Sequence, residues 1–115
     1  MNGVKAGEPV PIQVQTHQKR ILELEKCYSD ARAIWIDSEA RNSPDYRIWE
    51  DILFSSELIF NEYIKLNNWL RENPFEPVDV YHVYIETVNN YIPLLIEIVI
   101  HATRAVNYYR REGKL

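Results

Sequence analysis

Glu97 and His101 stand four residues apart in YIPLLIEIVIHATR, residues 91–104, which puts a carboxylate one helical turn from an imidazole. Such a pair can pass a proton or contribute two metal ligands. Carboxylate di-metal bundles, however, repeat Glu-x-x-His and add further inward-facing glutamates. Here Glu-x-x-x-His occurs once, and His17 and His82 lack ligand-like spacing. A solvent-facing Glu97 drawn to the bases that follow it, and His101 packed in a seam, account for the same residues. No glycine lies between Gly7 and Gly113, so the interior has no glycine-rich loop to cradle a phosphate. The lone Cys27 cannot close an intramolecular disulfide and reads as a half-buried small hydrophobe. The sequence therefore assigns no catalytic, cofactor-binding or metal-binding residue, and the chain reads as a non-enzyme without a cofactor or small-molecule substrate.

The elements that carry these residues read as helices. The 115 residues are 46% hydrophobic and 26% charged, the composition of one ordinary globular domain. Residues 1–15 hold prolines and glycines and read as an extended arm, with a single helical-bundle domain over residues 16–115. From Thr16, read as the helix cap, Ile21, Leu24, Tyr28, Ala31 and Trp35 recur at three- and four-residue steps. Ser43-Pro44-Asp45 reads as the start of a second helix, with serine as the cap and proline in the first turn. Its stripe of Trp49, Ile52, Leu53, Ser56, Ile59, Phe60, Tyr63, Leu66 and Leu70 runs to the stop at Asn73-Pro74. Trp35, Trp49 and Trp69 each fall on or beside an apolar stripe and read as core anchors.

The third segment opens at Glu76-Pro77 and is less uniform. Val80, Thr87, Leu94, His101 and Tyr108 are spaced by sevens, as are Tyr84, Tyr91, Ile98 and Ala105; together they predict a core-facing seam. Pro93 falls on the opposite face, where a kink would bend the helix around the core. The expected fold is an all-α antiparallel bundle of three long helices. The third is kinked or broken near Pro93, the break giving a possible fourth. The alternative is an α+β fold whose C-terminal hairpin turns at Asn89-Asn90, which Pro93 opposes in a central strand.

Around Pro93 the apolar positions exceed one face. Tyr84, Tyr91, Ile92, Leu95, Ile96, Val99 and Ile100 spread wider than one helix neighbour can cover, and they form the candidate interface. The expected function is a protein–protein interaction or assembly module, a homodimer through this helix, with another protein as the alternative partner. No uninterrupted run of about 18 apolar residues occurs, so no spanning helix is expected. The lone cysteine and the N-terminus, which lacks a signal peptide's basic start, point to a cytoplasmic, reducing location.

Charge is segregated. Residues 44–103 hold ten acids and three bases, whereas residues 104–115 hold four bases and one acid. The acidic middle, with Glu57, Glu62 and Glu86, suggests a second function: an inhibitor or accessory subunit on the basic surface of a nucleic-acid-handling protein. The tail, with Arg104, Arg110, Arg111 and Lys114 beside Tyr108-Tyr109, suggests a third, weak nucleic-acid binding. Cations at the negative end of a helix dipole explain the same tail, and nucleic acid is not the expected partner.

Overall fold

A computed structural model describes residues 10–115, and within them only helices and connections occur. The chain forms α1 (Ile12–Ala40), α2 (Ile48–Glu72) and α3 (Val78–Arg111). His17 early in α1 meets Glu62 late in α2, and Trp35 late in α1 meets Trp49 early in α2. Tyr63 stacks on Tyr91, and Trp49 reaches His101, so α3 again runs opposite to α2. The result is an all-α three-helix bundle measuring 56 × 23 × 16 Å. Among the described residues no strand forms, which corrects the hairpin alternative.

α1 starts earlier than Thr16. Pro11 occupies the cap position, and the Thr16 hydroxyl donates to the Ile12 carbonyl, 2.9 Å away, from inside the helix. Residues 12–15 are therefore helix rather than arm, because Val14 is fully buried and Val10 packs on the same cluster. The remainder of the expected arm, residues 1–9, lies outside the described residues.

The α1–α2 connection is tied down by Ser38, not capped by Ser43. Asn42 adopts a left-handed φ of 57°, so the Asn42 N–H donates to the Glu39 carbonyl and the Ser43 N–H to the Ser38 carbonyl. This pairing of amides with the last carbonyls closes a helix C-terminus, and asparagine tolerates the left-handed position. The buried Ser38 hydroxyl accepts from the Asp45 N–H at 2.9 Å and donates to the Trp35 carbonyl at 2.7 Å. Ser43 and Pro44 thus belong to the connection, and α2 begins at Ile48.

α3 continues through Asn89-Asn90 and Pro93 as one helix of 34 residues, so the expected break is absent. Pro93 is exposed, on the face away from α2. The missing amide hydrogen there leaves a carbonyl that water can reach. The core has two centres. Val14, Ile21, Ile59, Tyr63, Leu66, Leu70, Val88 and Leu95 form the larger, and Ala31, Ile48, Ile52 and Ala102 the smaller. All three tryptophans are partly buried against these clusters, as their stripes predict.

Candidate functional site, the open face between α1 and α3

The core residues of α3 are Val88, Leu95, Ala102 and Val106, not the seam read from the sequence. Leu94 is 54% exposed, and Thr87, His101 and Tyr108 are exposed as well. Both sets repeat in sevens, and on a helix they lie on adjacent stripes. α2 covers one stripe. The other faces the gap between α3 and α1, where no Cα of α1 comes within 8 Å of a Cα of α3. α2 packs against both outer helices, and at one end Trp35 of α1 also meets Tyr109 of α3 at 5.9 Å between ring centroids.

Three clefts follow this gap in order. The first, of about 510 Å³, lies between Gln18, Leu22 and Glu25 of α1 and Val83, Tyr84 and Thr87 of α3. The second, of about 180 Å³, has Glu25 and Tyr28 on one wall and Tyr91, Leu94 and Ile98 on the other. The third, of about 310 Å³, has Arg32, Ile36 and Glu39 facing Ile98 and His101 over Trp49. α2 supplies the floor through Ile52, Ser56, Ile59, Tyr63 and Leu66, the buried stripe legible in the sequence. Leu22 and Ile36 stand 67% and 55% exposed on the α1 wall.

Electrostatics single out the middle of this face. Glu25 is pushed above the usual carboxylate range by partial burial. Tyr63 on the floor is pushed up to about 12, first by burial, then by the charge of Glu25 and by Tyr91, whose ring it stacks on at 5.7 Å. The folded state therefore favours the neutral phenol, so stability is fully present below the ordinary tyrosine value of 10.0 and is lost as the pH rises from there through about 12. Absorbance titration at 295 nm should show a late step from Tyr63, in addition to that of Tyr109, which burial also pushes up, together with the onset of unfolding. Tyr63→Phe should remove that late step, and an unchanged titration would contradict the assignment.

The candidate interface divides. Leu95 is 7% exposed and belongs to the core, so it cannot meet a partner. Tyr84 and Ile92 are partly buried against the core, and Val99 is half-buried. Tyr91 faces the gap at 46% exposure, whereas Ile96 and Ile100, at 42% and 44%, lie on the far side of α3. Cys27 is exposed, contrary to the half-buried position expected. His101 is exposed and sets its ring edge-on to Trp49 at 5.7 Å. Among the described residues no group of three or more histidine, cysteine or acidic side chains converges as a metal site.

The acidic and basic surfaces also lose members. Glu62 is 5% exposed, with His17 Nδ1 donating to it at 2.6 Å and Arg20 Nε at 3.2 Å. It clamps α1 to α2 and is no part of a partner-facing acidic surface; Glu57 and Glu86 remain exposed on different helices. Arg110 reaches Glu50 at 3.5 Å, leaving Arg104, Arg111 and Lys114 as the exposed bases of the tail that form no ion pair among the described residues. Lys114 rests over the Tyr46 ring at 5.0 Å.

No family model, curated protein or solved structure matches this chain. Its own chemistry is what the face offers. α3 also holds one stretch long and apolar enough, by length and composition alone, to cross a membrane. A search for an uninterrupted apolar run passes over it, because Glu97 and His101 break a stretch that is apolar on average.

Proposed function

We propose that this protein is a non-enzymatic assembly module that pairs with a second copy of itself through α3. One observation carries the reading: α3 presents apolar side chains toward α2, toward the α1 gap and on its far side, yet only α2 packs closely along it, α1 meeting it through Trp35 on Tyr109 at one end. Apolar surface of this extent is removed from water by association, at roughly 25 cal/mol per Å² of area buried. The clefts along the face are open troughs that suit side chains from another helix.

Sedimentation equilibrium at tens of micromolar should give twice the 13.7 kDa mass of the chain. A single species at the chain mass across that range would overturn the reading. The acidic-surface and nucleic-acid alternatives gain no support from the geometry, since Glu62 and Arg110 are engaged within the chain.

A further inference from the structure

Two charge patterns along the open face constrain what can lie on it. α3 is polarised: residues 74–103 contain four acids and no lysine or arginine, and residues 104–115 contain four bases and one acid. A parallel copy would set like charges side by side, whereas an antiparallel copy sets opposite charges together. α1 carries the second pattern. Gln18, Glu25, Arg32 and Glu39 repeat in sevens along the wall of the clefts. Neither Glu25 nor Arg32 forms an ion pair within the described residues; Arg32 only rests over the Tyr28 ring at 5.9 Å. Leu22 and Ile36 lie seven residues to either side of Ser29, the smallest side chain on that stripe.

The clefts set the two helices in register. Glu25 and Tyr28 share a cleft with Tyr91, Leu94 and Leu95, so Ser29 and Leu94 stand at about the same level along the bundle. Each helix is therefore self-complementary about that level. Glu25 and Arg32 lie four and three residues to either side of Ser29 on α1; Glu86 and Arg104 lie eight and ten residues, and Asp79 and Arg111 fifteen and seventeen residues, to either side of Leu94 on α3.

We infer that the open face is occupied by a second copy of this chain, related by a two-fold axis that crosses the helices at right angles level with Ser29 and Leu94. The inference rests on the self-association proposed for α3 and adds its face, direction and register. Rotation about such an axis lays α1 antiparallel on the partner's α1 and α3 antiparallel on the partner's α3, in the isologous manner of a symmetric dimer. Leu22 then meets Ile36 of the partner subunit, and Leu94 meets the partner's Leu94 on the axis. Glu25 lies within one residue of the level of the partner's Arg32, and Glu86 and Asp79 lie within two residues of the levels of the partner's Arg104 and the partner's Arg111. The charged positions flank the apolar stripe as they flank a coiled-coil seam, where such pairs set orientation. The α1 and α3 stripes of both copies enclose one four-helix core, with each α2 on the outside. The broad side of the molecule, 56 × 23 Å, exceeds the roughly 800 Å² per partner that a stable interface requires. Ile96 and Ile100 stay outside this contact.

Charge exchange and cross-linking test the pairing on the full chain. Glu25→Arg and Arg32→Glu each set like charges opposite one another twice per dimer. Each should raise the dimer Kd about tenfold at low salt, and the double exchange should return it to within about threefold of the parent. Both positions are exposed, so an unchanged helical circular-dichroism signal will show that the monomer is intact. In a Cys27→Ala background, Ser29→Cys should form a disulfide-linked dimer on mild oxidation, because residues on the axis approach within disulfide reach. Ile100→Cys, on the far side, should not.

A dimer indifferent to both reversals, or cross-linked through Ile100→Cys but not Ser29→Cys, overturns this pairing while leaving self-association standing. A parent chain that is monomeric overturns both. Monomeric chain that instead sediments with phosphatidylcholine vesicles would also overturn both and make the apolar face a lipid-contacting one.

Discussion

Replacing Leu94 with glutamate is expected to raise the dimer dissociation constant at least a hundredfold while leaving the monomer folded. Leu94 is 54% exposed in the single chain, so a charge there is solvated and costs the monomer little. In the dimer the two copies of residue 94 meet on the two-fold axis, and each loses an apolar contact and gains an unpaired carboxylate against its twin. Central positions of this kind carry about 2 kcal/mol or more of binding energy, and burying unpaired like charges adds to the loss. A hundredfold change corresponds to about 2.7 kcal/mol. Sedimentation equilibrium of Leu94→Glu beside Ile96→Glu separates the two faces of α3, since Ile96 is similarly exposed but points away from the gap. Dissociation by Ile96→Glu with Leu94→Glu unaffected would place the interface on the far side.

Leu66→Ala is expected to act on the fold itself. Leu66 is 2% exposed, belongs to the larger core cluster, and floors the widest cleft between α1 and α3. Truncating a buried leucine removes apolar burial and leaves a cavity that helix backbones close only in part, at a cost of about 2–5 kcal/mol. For a domain of this size a loss of about 3 kcal/mol lowers Tm by roughly 12 °C. Because the proposed dimerisation would raise apparent stability by mass action, the melts must be compared at one protein concentration. A shift below a few degrees would mean that the core relaxes around the missing side chain. Performed in the Leu94→Glu background, the same substitution reports the monomer alone.

The three-helix architecture is largely legible in the sequence, because α2 has one wide apolar stripe and its stripe residues are those that floor the bundle. The direction of α3 about its own axis is not. Val80, Thr87, Leu94 and His101 repeat in sevens as regularly as Val88, Leu95 and Ala102, and only the position of α2 decides which set becomes core. Periodicity reports that a stripe exists and says nothing about what covers it. The helix starts shift for a local reason. Thr16 and Ser43 have the chemistry of caps, but Thr16 bonds backward inside α1, and the left-handed Asn42 lets Ser38 take over the connection. The His17–Glu62 contact joins residues 45 apart and leaves no mark in either neighbourhood. The candidate interface is half legible. Tyr91 reaches the open face, Leu95 is turned inward with the core stripe, and the charge symmetry about Ser29 emerges only once the clefts set α1 beside α3.

No Cα of α1 comes within 8 Å of a Cα of α3, so each closely packed helix pair is formed by segments adjacent in the chain. The loops that folding must close are then two short hairpin connections, whose entropic cost is small. Helical domains dominated by such local pairings fold quickly, without waiting for distant segments to find each other. A bundle in which the first and last helices lock together would gain stability from that closure and lose the speed. On the self-association proposed above, the closing step is an encounter between molecules, so the last stage of assembly would depend on concentration although the earlier ones do not.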